Sequence, residues 1–312
     1  MVGGTAFDRS LTVAVVECNV TEEPADLDAL RLSLDGFPCL LVGVEDKATT
    51  PLRRLFDVVV SPDEPLLPAA LDAAETNPHA TMALAVLLRG ARQSVGDGLA
   101  KESAVYSTLQ DGPEFAAWRA ATPLRARVNP DHPTVRAERD GHELTITLTR
   151  PEVHNAFSAR MRDELLDALA IGLADSSITD VVLTGEGASF CSGGDLDEFG
   201  TRPDPATAHI VRLERSVGRV LAAMSERVTA HIHGATMGSG IELSAFAHRV
   251  IAHSDTRITL PEVGMGLIPG AGGTVSLPRR IGRHRTALLA LSRAAIDAER
   301  ALQWGLVDAI EA

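Results

Sequence analysis

Short stretches of alternating apolar and polar residues give way along the chain to longer runs with helical spacing. Leu11–Cys18 (LTVAVVEC) reads as a buried strand, Asp26–Leu34 has helical spacing, and Cys39–Val44 (CLLVGV) and Phe56–Val60 (FDVVV) read as further strands. That β-α-β order predicts a small parallel sheet with right-handed crossovers. Ala69–Ala120 reads as helical: Pro78–Gly90 is strongly apolar and ends at a glycine, Gly98–Gln110 is amphipathic, and Pro113–Arg119 is short. Arg89, Arg92 and Lys101 are expected to solvate one face of this stretch. Thr122–His132, with prolines and basic residues but no period, is the linker candidate, so the chain divides at 1–121 and 122–312. Beyond it, Val135–Thr149 alternates around Asp140-Gly141 as a β-hairpin does. Ser158–Leu173 is an amphipathic helix that Ser158 can cap, and Asp180–Thr184 is a buried strand. Gly185–Gly194 is a loop, with Asp195–Phe199 expected to begin a helix.

The candidate chemistry lies in Thr229–Thr274. Val228–His233 alternates like a strand and is followed by Gly234, Gly238, Ser239 and Gly240, small residues that let a backbone turn sharply beside a ligand. An apolar helix is expected from Ile241, which places the amides around Ser239 at its positive end, suited to an oxyanion developing on a carbonyl. Glu242 falls in the first turn; complementing the helix dipole is its plainer role. Ile258–Leu260 is a short strand ended by Pro261-Glu262, a carboxylate among apolar neighbours whose pKa should rise. A glycine-rich loop, Gly264–Gly273, follows, with Thr274 expected to cap the next helix. No dinucleotide-type or Walker-type glycine pattern occurs.

GSGIE at Gly238–Glu242, then LPEVGMGLIPGAGGT with Glu262 twenty positions after Glu242, resembles the enoyl-CoA hydratase/isomerase (crotonase) superfamily. VVLTGEGASFCSGGDLDEF at Val181–Phe199 and RPEVHNAFS at Arg150–Ser158 are similar to that family's first oxyanion-hole segment and an earlier loop, and the resemblance spans about Thr134–Ala312. It implies an α/β crotonase-like (ClpP/crotonase) spiral of ββα units. It also implies backbone amides of Gly194 and Ser239 as an oxyanion hole, with Glu242 and Glu262 handling water and the α-carbon proton. Ala156, Gly193, Asp195, Leu196, Gly238, Pro269 and Gly270 would border the substrate. The implied substrate is an acyl-CoA thioester with no further cofactor and no metal, the implied reaction hydration of a trans-2-enoyl-CoA, and the implied assembly a homotrimer or dimer of trimers. Two carboxylates favour hydratase over isomerase; other crotonase-type thioester chemistry and a non-catalytic binding subunit are the alternatives.

Some positions depart from the family pattern. His248 stands where an aspartate is usual, and Asp197 where a lysine often contacts CoA. Asp57–Arg89 and Gly98–Trp118 resemble the family's carboxy-terminal segment, which elsewhere follows a phrase like GLVDAIEA, here Gly305–Ala312. A permuted arrangement or a fused, degenerate first copy accounts for this, and either predicts that the Ala69–Ala120 helices pack on the Thr134–Ala312 core.

Composition narrows the rest. A net charge of −13 argues against nucleic acid or an anionic membrane as partner, and leaves CoA phosphates to local Arg or Lys. No secretory leader or membrane-length apolar run is read, and three scattered cysteines, Cys18, Cys39 and Cys191, fit a reducing, cytoplasmic compartment. His231 and His233 form a possible metal pair, but no third ligand is suitably spaced. Cys191 reads as packing, and Ser239 lacks a nucleophile-elbow context. Arg279, Arg280, Arg283, His284 and Arg285 form a basic cluster expected at a helix start, usually a solvated or interface face.

Overall fold

The computed structural model describes residues 13–17, 27–34, 37–45, 51–90, 94–125, 131–202 and 204–312. Leu11, Cys18, Arg92 and residues 126–130 of the linker candidate lie outside them. The strands β1 (Val13–Glu17), β2 (Leu40–Val44) and β3 (Val58–Val60), with helix α1 (Leu27–Leu34) between the first two, make a parallel sheet in the order β1-β2-β3. The central strand is buried at Leu40, Leu41 and Val42. The first strand is not the buried one expected: it forms the edge, and Val15 and Val16 are 51% and 44% exposed.

Four helices follow: α2 (Leu67–Thr76), α3 (Pro78–Arg89), α4 (Val95–Gln110) and α5 (Pro113–Ala121). Prolines open α2, α3 and α5, where a missing N–H costs nothing. Ser94 caps α4 by accepting from the Asp97 amide at 3.1 Å. Arg89 does not solvate a face. It is almost wholly covered, pairs with Asp57 at 2.8 Å, and donates to the carbonyls of Leu34, Phe37 and Cys39. The partners lie far off in sequence, so helical spacing alone did not reveal them. Lys101 is exposed, as expected.

The remaining chain is a layered α/β body. The hairpin β4 (Val135–Asp140) and β5 (Glu143–Leu148) turns at Gly141 (φ 57°), the conformation that its Asp-Gly pair favours. The next elements are α6 (Ala159–Ala174), capped by Ser158, β6 (Asp180–Gly185), α7 (Pro205–Glu214), α8 (Val217–Ala223), β7 (Val228–Ile232), β8 (Ala235–Met237), α9 (Ser239–Ser244), β9 (Arg249–His253), β10 (Arg257–Thr259), α10 (Gly273–Ser292), β11 (Ile296–Asp297), α11 (Ala298–Trp304) and β12 (Ala309–Glu311). One sheet runs β12-β9-β7-β6-β5-β4, parallel except at the hairpin; a smaller one runs β11-β10-β8. Asp195–Phe199 forms turns rather than the expected helix start, closed by the Glu198 amide on the Asp195 carbonyl and by Gly200 at φ 72°.

The helices α2, α3 and α4 pack on α10, α4 also meets α7 and α8, and α5 lies on the turn Glu262–Met265. A single apolar cluster runs from Leu40 and Leu84 through Ile146 and Leu165 to Leu289. The amino-terminal helices thus share a core with the rest of the same chain, at roughly 1.5–3 kcal/mol for each large side chain fully buried.

Candidate active site

Two crossings of the chain bring the glutamates together. After β8 the backbone turns at Gly238 (φ 45°) into α9, a single buried helix of six residues that starts at Ser239, two residues before the expected start. A Cβ on Gly238 would stand 2.4 Å from Glu262 Oε1, so the turn and the close approach both require glycine. Ser239 is in ordinary helical conformation, which is why a side chain is tolerated there, and its hydroxyl lies 3.8 Å from the Cys191 thiol. On the second crossing, β10 leads through Pro261 to Glu262, which opens the turn Glu262–Met265.

The glycine-rich loop then runs between two buried carboxyl groups. The amides of Ala271 and Gly273 donate to Glu242 Oε2 at 2.7 and 2.8 Å. Those of Gly272 and Thr274 donate to Glu102 Oε1 and Oε2 at 2.7 and 2.9 Å, and the Thr274 hydroxyl adds a bond of 2.6 Å to Glu102 Oε2. Successive amides therefore alternate between a glutamate of α9 and one of α4. Thr274 is not the expected helix cap. Gly272 takes the cap position at φ 110°, and the threonine hydroxyl is committed to Glu102.

Burial raises all three carboxyls. Glu102 is pushed up to about 7 against the pull of the Thr274 and Gly272 donors, and Glu262 up to about 8, by burial first and then by the charge of Glu102. Glu242 is raised by burial and by the charges of Glu262 and Glu102, and its two amide donors oppose the shift. Those donors favour a carboxylate at Glu242. Glu262 Oε2 is buried without a hydrogen-bond partner, which makes Glu262 the better place for a proton.

A cavity of about 410 Å³ joins these groups, lined by Gly194, Asp195, Ser239, Glu242, Glu262 and Gly270 among the residues picked out from sequence. Ala156, Gly193, Leu196, Gly238 and Pro269 are not on its wall; each is adjacent in sequence to a residue that is. Neither the Gly194 nor the Ser239 amide donates to a protein acceptor among the described residues. Asp195 is held by Arg150 at 3.3 Å.

Sequence reasoning missed the wall supplied by α4. Leu99, Glu102, Ser103 and Tyr106, at the i, i+3, i+4, i+7 spacing of one helix face, line the cavity together. A carboxylate and a phenol on the apolar side of an amphipathic helix were the available signal. The Tyr106 ring explains Gly270, where a Cβ would come within 2.4 Å of it.

The other candidates are placed away from this chemistry. His231 pairs with Glu311 at 3.6 Å and His233 meets the Gly187 carbonyl, and no metal-binding cluster of His, Cys, Asp or Glu occurs among the described residues. Cys191 is buried, with its thiol pushed up to about 11 by burial, and packs under the site. The basic cluster surrounds a kink within α10 at Gly282 rather than a helix start. His284 is there pushed down to about 4 by burial and by Arg283 and Arg53. His248 is exposed, and Asp197 accepts from the Arg125 amide.

A six-stranded, largely parallel sheet, a smaller sheet and a glutamate-lined cavity walled by helices and loops make up a crotonase fold. The family model for enoyl-CoA hydratase/isomerase matches residues 140–312, and the chain belongs to that family. It is 33% identical over 164 residues to 2,3-dehydroadipyl-CoA hydratase of Escherichia coli, and 35% identical over 169 residues to 1,2-epoxyphenylacetyl-CoA isomerase of the same organism. Each match covers 53% of this chain and 64% of the relative, so the chain spans just under two thirds of these relatives' length. The crystal structure of enoyl-CoA hydratase from Thermoplasma volcanium superimposes with a TM-score of 0.54 at 35% identity, covering 58% of this chain and 72% of that one.

Proposed function

We propose that the chain hydrates a trans-2-enoyl-CoA to a 3-hydroxyacyl-CoA, with Gly194, Ser239, Glu242 and Glu262 as its working groups. The observation that carries this reading is the pair of raised, buried carboxyls, Glu242 and Glu262, on one cavity wall with two amides that have no protein acceptor among the described residues. The thioester oxygen accepts from the Gly194 and Ser239 amides, each such donor being worth roughly 3–4 kcal/mol as charge develops. Water is oriented by Glu242, which takes its proton as the oxygen bonds to C3. Glu262 gives its proton to C2 as the enolate collapses, and transfer of one proton from Glu242 to Glu262 restores the starting state. The retention of both carboxyls favours hydration over double-bond migration, for which one would serve.

Within the same reading, the substrate is carried as the CoA thioester without a further cofactor, and the protein works in the cytoplasm as a trimer or dimer of trimers. No helix among the described residues is long and apolar enough to cross a membrane. The test is loss of the ultraviolet absorbance of crotonoyl-CoA. Rapid loss with the parent and near-absence with Glu262→Gln is expected. A folded parent that binds CoA thioesters without turnover sinks hydration in favour of isomerase, other thioester chemistry or a binding subunit.

A further inference from the structure

Of the arginines that border the cavity, Arg162 and Arg215 pair with Asp163 and Arg202 is exposed, whereas Arg212 is a half-buried cation that hydration does not use. Arg212 of α7 is partly buried on the cavity wall. Its guanidinium lies 4.7 Å from the centre of the Tyr106 ring, and Nε donates to the Ser103 hydroxyl at 3.2 Å. Nη2 donates to the Ser107 hydroxyl. Both partners are neutral, and no carboxylate lies within ion-pair distance of Arg212 among the described residues. Glu102, the acid whose charge reaches Arg212, is committed to the loop amides. A guanidinium drawn out of water is costly unless an anion answers it, and its planar fork suits a carboxylate. Two serines and an aromatic face hold the fork in place before any ligand arrives, so little ordering is required on binding.

Tyr106 fixes where that anion would sit. Its ring lies 4.7 Å from the guanidinium and abuts Gly270 of the glycine-rich loop, so it touches both Arg212 and the loop whose amides hold Glu242. The hydroxyl has no partner among the described residues. Arg212 borders the same cavity of about 410 Å³ as Gly194, Ser239 and the two glutamates, so an anion held there shares that cavity with the reacting part of the acyl chain.

We propose that Arg212, assisted by Tyr106, reads a terminal carboxylate on a short acyl chain, so that the preferred substrates are thioesters of dicarboxylic acids. This rests on the thioester reading above. The reaction that supplies such a substrate would be one that desaturates or activates a dicarboxylic acid.

The test compares trans-2-hexenoyl-CoA with its chain-matched 5-carboxy-2-pentenoyl-CoA. The parent is expected to favour the carboxylated substrate at least tenfold in kcat/KM, and Arg212→Gln to bring that ratio within about twofold of one. Equal kcat/KM in the parent overturns the inference and leaves hydration standing. Calorimetry with adipyl-CoA and hexanoyl-CoA separates the two ideas: a tenfold tighter adipyl-CoA supports the anion site even without turnover. If Arg212→Gln does not fold, this parent comparison decides alone. If Arg212→Gln weakens hexanoyl-CoA and adipyl-CoA equally, and leaves their dephospho-CoA counterparts unchanged, Arg212 belongs to the CoA phosphate and the carboxylate reading is overturned.

Discussion

Replacing Glu102 tests how far the amino-terminal helices belong to the site. Glu102→Ala removes the acceptor for the Gly272 amide and for the Thr274 amide and hydroxyl, all buried. At about 1–1.5 kcal/mol net for each bond, the loss is about 3–5 kcal/mol. Glu102→Gln keeps one oxygen and costs about 1–2 kcal/mol on the same scale. The pH dependence sharpens the test. Glu102 is raised from 4.5 to about 7 in the folded chain, so the folded state binds its proton more tightly than the unfolded state. That contribution to stability is present below the unfolded pKa and is lost as pH rises through the folded one, on the order of 3 kcal/mol. Glu102→Gln has no such loss, so its urea-derived stability should approach that of the parent between pH 5 and pH 8. The freed loop also slackens its hold on Glu242, and kcat should fall about tenfold, equivalent to about 1.4 kcal/mol. Stability curves that stay parallel across this range, with unchanged kcat, would refute the role assigned to Glu102.

Other outcomes follow from the same geometry. With Glu262 raised to about 8 and acting as proton donor, kcat should decline as pH rises past that value. Glu262→Gln should cost at least about a hundredfold in rate, read by the same ultraviolet assay. Gly238→Ala places a methyl 2.4 Å from Glu262 Oε1 at a left-handed φ, and should cut kcat more than tenfold with the fold largely retained, by circular dichroism. Asp57→Ala removes the carboxylate that answers the buried Arg89 guanidinium and should lower stability by about 3–5 kcal/mol in urea unfolding.

What the sequence disclosed is what depends on near neighbours. The hairpin at Asp140-Gly141, the Ser158 cap and the two carboxyls Glu242 and Glu262 are set by local chemistry, and each is where the pattern put it. Thr274 was misplaced because a carboxyl from α4 competes for its hydroxyl. Arg89 looked solvated because its counter-ion stands 32 positions earlier. Tyr106 and Arg212 carry no motif, and only the packing of α4 on α7 makes them one feature.

The bond from the Gly272 amide to Glu102 closes a chain interval of 170 residues. Contacts of such separation form late in folding, after the loop entropy between them has been met. The site is therefore complete only once the two halves of the polypeptide have met, not when its own half has folded. Deuterium should enter the amides of Gly272 and Thr274 only on global opening, which would make them the slowest-exchanging glycine-loop positions in the protein.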